Sequence, residues 1–315
     1  MTTMDSGEVS PTTAEEAANT LGKHRSLRAD VWRQFRRHKG AMVGLFFLSI
    51  IVFGSYVGPS IYPLDPFEID TSVANETPSW GHPMGTDNLG RDVMARVLIG
   101  GRVSLSVGFA AMAVGIIVGT TVGVLAGFFR WLDGPLMRIT DLFLALPILP
   151  LLLVVIVLFR EPLQDRFGDS LGIFLLVVTI IGLTSWMQTA RIVRGDVLAI
   201  KEAEFVLAAR SIGTRPRRII TRHIVPNVMS PVIVAASIGV AVAIITESAL
   251  SFLGLGFDAS FPTWGRLLFD AKDYLSINPA RVIWPGVMIS LTVMSVNFIG
   301  DGLHDALDPK LRSKG

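Results

Sequence analysis

Ionisable side chains inside long apolar segments are the first candidates for chemistry, because burying a charge in hydrocarbon is costly and such residues usually serve a function. The acidic ones are Asp141, Glu247 and Asp301. All three fall near an end of their apolar segment, Asp141 and Asp301 where water reaches. Each could hold a substrate or pair with a neighbouring helix, and the residue types favour the structural role.

Other residue sets that support catalysis or cofactor binding are missing from the sequence. There is no cysteine, which excludes disulfides, thiol chemistry and cysteine metal sites, and the five histidines lack the spacing of metal ligands. No phosphate-binding loop of the form GxxxxGK[ST] occurs. The apolar segments contain no paired nucleophile and base. We therefore predict no enzyme active site, no metal site and no cofactor bound by this chain.

Composition places the chain in a membrane. Half of its residues are hydrophobic, 17% are charged, and the mean hydropathy is +0.54. A net charge of +2 and a pI near 9.1 would suggest nucleic acid in a soluble protein. Here Lys and Arg cluster in alternate loops, which indicates membrane topology and not nucleic-acid binding.

Six apolar segments are long enough to cross a bilayer. They cover approximately residues 41–61, 103–128, 136–159, 171–193, 228–251 and 282–300. Basic residues concentrate before the first segment and in the 194–226 loop, whereas the 62–102 and 254–281 loops hold many acids. The positive-inside rule then puts both termini and the 194–226 loop in the cytoplasm. We predict an all-α integral membrane protein with six transmembrane helices, in the cell membrane.

The regions flanking the spans have their own composition. Residues 1–25, rich in Thr, Ser, Glu and Ala, predict a disordered cytoplasmic tail. Residues 26–40 combine apolar residues at helical spacing with basic ones, which predicts an amphipathic helix on an anionic lipid surface. The six-span domain would then cover residues 41–302, and residues 303–315 would form a cytoplasmic tail.

Small residues predict close helix packing within the spans. The second span carries a ridge of five small residues at four-residue spacing: Ala111, Gly115, Gly119, Gly123 and Gly127. A shorter ridge recurs in the fifth span as Ala235, Gly239 and Ala243. Such ridges let helices in lipid pack backbone to backbone. In the third span, Pro147 and Pro150 predict a bend.

The loop 194–226 is too regular to be a simple linker. Apolar residues at helical spacing predict an amphipathic helix from about Asp196 to Ile212, and its apolar face would carry Leu198, Phe205, Ala209 and Ile212. Gly213 would end it in a left-handed conformation. Thr214 could then cap a second helix with Pro216 in its first turn, and Pro226 would mark the next boundary. This region could lie on the membrane surface or receive a partner protein.

The loop also resembles the cytoplasmic coupling loop of ABC-importer membrane subunits. The matching pattern is Glu-Phe-Val-x-Ala-Ala-Arg-x-x-Gly, residues 204–213, followed by the proline of His-Ile-Val-Pro-Asn. The resemblance implies that a partner ATPase contacts Glu204, Leu207, Ala208, Ala209, Arg210, Gly213 and Pro226. The two alanines would let that partner approach closely. Leu207 departs from the family pattern, which has Glu there, and Glu204 could supply the missing carboxylate because it shares the helix face of Leu207.

Further blocks resemble one branch of these permeases. They are His82-Pro-x-Gly-Thr-Asp-x-Leu-Gly-Arg-Asp-Val93, Glu247-Ser-Ala-Leu-Ser-Phe-Leu-Gly-Leu-Gly256, Pro262-Thr-Trp-Gly265 and the segment Asn297–Pro309. The branch is the second membrane subunit (C-type) of dipeptide, oligopeptide and nickel importers. It implies a type I ABC-importer permease architecture, and the cargo stays open between peptides, nickel and other small solutes.

The resemblance also implies a set of partners. They are a paralogous second permease subunit in a heterodimer, two ABC ATPase subunits of one type or one of each of two types, an extracytoplasmic substrate-binding protein, and membrane lipid. ATP and Mg²⁺ would act at the ATPase subunits. A secondary transporter is the less favoured alternative, because no inverted repeats or midplane ion ligands are visible.

Two outer segments complete the candidates. In the first, Thr86 or Asp87 is predicted to cap a membrane-hugging helix whose apolar side carries Leu89, Val93 and Val97; ion or substrate contact at Asp87 and Asp92 is the less favoured reading. The 254–281 segment combines aromatic and charged residues, which is typical of a docking rim. Trp264 and Arg266 are predicted to contact the substrate-binding protein.

Overall fold

A computed structural model describes residues 27–258 and 260–307, and their regular structure is helical. The helices are α1 Leu27–Arg37, α2 Lys39–Ile61, α3 Val93–Phe128, α4 Arg130–Ala145, α5 Ile148–Phe167, α6 Asp169–Ile200, α7 Glu204–Ser211, α8 Pro216–Ile219, α9 Val225–Phe252, α10 Trp264–Ala271 and α11 Ala280–Leu307. The predicted tail 1–25 lies outside the described residues, as do residues 308–315. The all-α prediction is confirmed for the part described.

Five helices are long and apolar enough to cross a membrane: Lys39–Ile61, Val93–Phe128, Asp169–Ile200, Pro216–Phe252 and Ala280–Leu307. The pair α4 and α5 passes the same test only together, and it is bent by 90°. The bend predicted in the third span, 136–159, is therefore confirmed, but it divides the segment into two separate helices. Pro147 disfavours the helical conformation at Leu146, which is extended with φ −76° and ψ 139°.

The second span begins earlier than the sequence suggested. α3 starts at Val93, and the Asp92 side chain accepts a hydrogen bond from the Ala95 N–H as its N-cap. The predicted separate helix with a cap at Thr86 or Asp87 is wrong. α3 continues through Gly100 and Gly101. Gly101 allows close packing against α2, because a Cβ at this position would lie 2.3 Å from the Ser55 hydroxyl oxygen.

The glycine ridge packs α3 against α6 along most of their length. All five residues of the ridge are buried. A Cβ at Gly119 would lie 2.6 Å from the Trp186 carbonyl oxygen, and one at Gly127 would lie 2.7 Å from the Val197 Cβ. Only glycine allows this backbone approach, so the predicted role of the ridge is confirmed.

The ends of the described chain pack together. α1, predicted over 26–40, ends at Arg37, and α2 begins directly after His38. Phe35 of α1 and Ala41 of α2 are buried against Ala306 of α11. The first helix is therefore anchored to the bundle on one face, and α11 extends beyond the predicted boundary at residue 302.

Candidate coupling surface

The segment 201–224, here called the corner segment, connects α6 with α9. The predicted helix from Asp196 to Ile212 is two helices, because α6 continues to Ile200 and α7 begins at Glu204 after a turn. In that turn Lys201 donates from its Nζ to the Gly127 carbonyl oxygen at 3.1 Å. The turn is thereby tied to the C-terminal end of α3.

Gly213 forms the corner with φ 76°, as predicted. Its N–H donates to the Arg210 carbonyl at 2.9 Å, and the Thr214 N–H donates to the Ala209 carbonyl at 3.1 Å. These two bonds are the Schellman arrangement that ends a helix at a left-handed glycine. Pro216 opens α8, also as predicted, but Thr214 is not its cap, since the N-cap position is Arg215 without a side-chain bond.

The corner segment has a buried inner face. Val206 and Ala209 of α7, together with Ile219 and Ile224, pack in one cluster with residues from three long helices. Those partners are Val124 of α3, Val193 and Val197 of α6, and Val228 and Val232 of α9. The corner segment therefore packs on α6 and α9, which it connects, and also on α3.

The outer face of α7 is exposed and partly apolar. Glu204, Leu207, Ala208 and Arg210 are exposed, as are Phe205 and Ile212. The prediction that Phe205, Ala209 and Ile212 share one face is wrong, because Ala209 is buried, and the Ala208–Ala209 pair is split for the same reason. Consecutive residues of a helix point about 100° apart, so only one of the pair can face outward.

Pro226 does not separate two helices. The helical path runs without a loop from Pro216 to Phe252, with a π-helical stretch at Ile220–Ile224 just before Pro226. Proline has no N–H to donate to the carbonyl four residues earlier, and a π turn is one way in which a helix accommodates such a defect. The boundary predicted at Pro226 is therefore wrong, and the corner segment continues directly into α9.

At the opposite end of the bundle, ion pairs hold the 62–92 loop. Asp87 accepts from Arg91 Nε at 2.7 Å and from Arg96 at 2.9 Å, and it also caps its own turn. Arg281 of α11 donates at 3.0 Å to both Asn75 and Asn88. Asp87 therefore stabilises the conformation of the loop, and both of its carboxylate oxygens accept hydrogen bonds from groups of the protein.

Asp92 is also satisfied by neighbouring residues. His82 Nδ1 lies 2.9 Å from Asp92 Oδ2, and the Tyr62 hydroxyl donates to the same oxygen at 3.3 Å. Burial and the charge of Asp92 raise the pKa of the Tyr62 phenol to about 12, so the phenol stays protonated. The structural interpretation of both aspartates is supported over ion or substrate binding.

The predicted docking rim lies partly inside the protein. Trp264 is fully buried and donates from its indole N–H to the Val97 carbonyl at 3.0 Å, so it cannot be a contact residue. Arg266 pairs with Asp270 at 3.0 Å and lies over the Phe269 ring, largely covered. Other apolar residues of this end are exposed, including Trp80, Leu275 and Ile277.

Comparison with known families identifies the chain. Residues 82–313 match the family described as binding-protein-dependent transport system inner membrane component. Residues 26–78 match the N-terminal transmembrane domain of oligopeptide transport permease C. The chain belongs to the binding-protein-dependent permease family. It is a permease subunit of an ABC importer and a multi-pass inner membrane protein.

Similar proteins include two dipeptide transport system permease proteins. That of Alkalihalophilus pseudofirmus is 38% identical over 90% of both chains, and that of Bacillus subtilis is 39% identical over 91% of this permease and 87% of its own length. The oligopeptide transport system permease protein of Bacillus subtilis is 36% identical over 95% of both. A chain of the MetNI methionine ABC transporter in an inward-facing conformation shares the fold, with a TM-score of 0.54 and 19% identity over 66% of this permease and 94% of that chain.

The three ionisable candidates of the permease have distinct surroundings. Glu247 is fully buried and accepts hydrogen bonds from Ser104 at 3.0 Å and Ser251 at 2.8 Å, so it joins α9 to α3. Asp141 pairs with Arg191 of α6. Asp301 is exposed. The favoured structural role is supported for the first two.

Several residues of the corner segment escaped the sequence analysis. Val206, Ile219 and Ile224 form its buried side, and Phe128 of α3 lies beneath Arg210. The position of Val206 was compatible with either side of α7, because apolar residues occur on both sides of that helix. Lys201 could have been noticed as a lone cation just after an apolar span, where long basic side chains turn back to backbone carbonyls.

Proposed function

We propose that this permease forms half of the translocation path of an ATP-driven peptide importer. The curated relatives named for dipeptide and oligopeptide transport cover about nine tenths of the chain, which supports peptides as cargo. A paralogous permease subunit would supply the other half of the path. A substrate-binding protein would deliver peptides from outside the cell, and both termini would be cytoplasmic.

The observation that carries the coupling role is the two-sided construction of α7. Its inner face is seated on α3, α6 and α9, while Glu204, Leu207, Ala208 and Arg210 stay exposed. A helix with an exposed apolar and charged outer face can bind a partner subunit, and its buried inner face can transmit the motion of that subunit to the helices beneath it. We assign this face to contact with an ATPase subunit, which would bind ATP and Mg²⁺. Gly213 and Pro226 would maintain the conformation of the corner segment.

Charge supports a cytoplasmic location for the corner segment. Exposed basic residues follow the Gly213 corner at Arg215, Arg217, Arg218 and Arg222. Such clusters stay on the cytoplasmic side during membrane insertion and interact favourably with anionic lipid. The 62–92 loop and α10 would then face outward, where Trp80, Leu275 and Ile277 could meet the binding protein.

Reconstitution would test the proposed function. The complete transporter, with both permeases, its ATPase subunits and its binding protein, would be placed in liposomes and supplied with labelled dipeptides, longer peptides and nickel. ATP-dependent peptide uptake that disappears when this permease is omitted is the expected result. Uptake of nickel without peptide would contradict the peptide assignment. ATP binding by the isolated chain would contradict the assignment of ATP binding to the partner subunits.

A further inference from the structure

A long groove runs between α6 and α9. Its first part is a cavity of about 330 Å³ that reaches from Thr184 and Thr246 toward Ile192. Its second part, about 410 Å³, continues past Ile192 to Asp196 and His304. The two parts share Ile192, Ala235 and Ile238, so they form one path. Volumes of this size accommodate small ligands.

One face of α6 lines this groove with polar side chains. Thr184, Gln188, Ile192 and Asp196 follow one another at four-residue steps. They form a stripe about 18 Å long that turns gradually around α6, because each step advances about 40° beyond a full turn. A membrane helix that faced only lipid along this stripe would carry apolar residues there, because unpaired polar groups in hydrocarbon are costly.

Two of these polar groups have no partner among the described residues. Asp196 Oδ2 is buried without a hydrogen bond, and the Gln188 amide, although exposed to the groove, makes none. The cations closest to Asp196 in sequence are engaged elsewhere. Arg191 pairs with Asp141, Arg194 pairs with Asp133, and Lys201 donates to the Gly127 carbonyl. Across the cavity His304 lies 3.6 Å from its own neighbour Asp305.

We propose that this groove is the cargo-contacting surface of the permease, and that the Asp196 carboxylate binds a cationic group of the cargo, such as the terminal ammonium of a peptide. The Gln188 amide can donate to and accept from a peptide backbone on the way. Apolar residues on the α9 side, including Ile238 and Val242, suit varied side chains without selecting among them. The inference rests on the proposed transport of peptides, and it names where this chain meets them.

Cysteine labelling tests whether the groove is a path. The natural chain has no cysteine, so a Gln188→Cys variant carries a single thiol in this subunit. Ile117→Cys is the matched control: it is exposed on α3 between Gly115 and Gly119, whose neighbours on α6 are Ser185 and Thr189, and thus lies at the depth of Gln188.

The assembled transporter would be treated with a membrane-impermeant thiol reagent. We expect labelling at residue 188, slowed several-fold when peptide and ATP are present, and none at residue 117. No labelling at 188, or labelling that cargo leaves unchanged, would overturn the assignment of the groove.

An Asp196→Asn variant tests the carboxylate, with Asp301→Asn as its control. Asp301 is an exposed acid of α11 near the same end of the bundle and lines neither cavity. At saturating binding protein, peptide uptake per ATP hydrolysed should fall about tenfold for Asp196→Asn and stay near wild type for Asp301→Asn, a loss equivalent to about 1.4 kcal/mol.

Equal effects of the two substitutions would overturn the proposal. So would loss of assembly with the second permease, because Asp196 would then serve the subunit interface. Uptake by the wild-type complex tests the peptide assignment separately. If that complex transports a cation and no peptide, the peptide proposal fails, while the ratio of variant to wild type still tests Asp196.

Discussion

The guanidinium of Arg210 lies 5.5 Å from the centroid of the Phe128 ring. Arg210 is on the exposed side of α7, and Phe128 is the last residue of α3. A cation above an aromatic face is attracted by the ring quadrupole. The contact therefore joins the surface proposed to receive the ATPase subunit to a helix that is bound along its length to α6.

Phe128→Leu should weaken this connection while keeping an apolar side chain. The lost cation–π attraction is worth about 0.5–1 kcal/mol at an exposed site. We expect a two- to five-fold lower stimulation of ATP hydrolysis by loaded binding protein in the reconstituted transporter. Phe129→Leu, the neighbouring aromatic residue, is the control. Equal stimulation in both variants would show that the contact is not used.

Gly213→Val should misdirect α8 without preventing membrane insertion. The left-handed conformation costs an L-residue about 1–2 kcal/mol, although no atom lies within 4 Å of the Cβ position. Stimulated ATP hydrolysis in the assembled complex should fall several-fold. Gly195→Val is the matched control, because Gly195 lies in α6 with open space around it and has no positive φ. Normal stimulation in Gly213→Val would contradict the prediction.

Glu204→Ala should lower transport more than Glu202→Ala does. Glu204 begins α7 and shares the exposed side of Leu207, whereas Glu202 lies in the preceding turn and not on the helix. An exposed ion pair is worth at most about 1 kcal/mol, but a pair covered by a docked subunit is worth more. Uptake and stimulated ATP hydrolysis would be measured side by side. Equal losses would mean that Glu204 is an ordinary solvated charge.

Gly119→Ala should destabilise the packing of α3 on α6. Its Cβ would lie 2.6 Å from the Trp186 carbonyl oxygen and 2.7 Å from the Thr189 Cβ. Overpacking of this kind costs about 1–3 kcal/mol. Thermal unfolding of the purified complex in detergent should show a lower midpoint. Gly286→Ala in α11, with no atom within 4 Å of the new methyl group, should leave the midpoint unchanged. A comparable decrease of the midpoint in Gly286→Ala would contradict overpacking as the cause.

Trp80→Ala should weaken binding of the substrate-binding protein, because Trp80 is fully exposed at the end of the bundle proposed to face outward. Truncation of an aromatic hot spot costs about 2 kcal/mol, or roughly thirty-fold in affinity. Trp131→Ala, exposed near the corner segment, is the control. Unchanged affinity in a titration of Trp80→Ala would exclude the residue from the interface.

Trp264→Ala should instead lower the free energy of unfolding by about 3–5 kcal/mol, since the Trp264 ring is buried.

Features that depend on local geometry or on composition could be predicted from the amino-acid sequence. Five small residues at four-residue spacing fall on one helix face whatever surrounds them, so the ridge from Ala111 to Gly127 could be predicted. Gly213 is similar, because the left-handed turn that ends α7 favours glycine over other residues. The membrane location followed from long apolar segments, and the permease family from motifs along most of the chain.

Which apolar and aromatic side chains are buried could not be predicted, because it depends on how the helices pack. In a membrane protein the outer surface is also apolar, so hydrophobicity does not separate Phe205 and Ile212, which are exposed, from Val206, which is buried. Trp264 is of a residue type that is common at interfaces, but it is buried against α3, where its indole N–H donates to the Val97 carbonyl and its backbone N–H donates to the Ser104 hydroxyl. The groove that ends at Asp196 is lined by residues of α6, α9 and α11, which lie far apart in the chain and are brought together only by the packing of the helices.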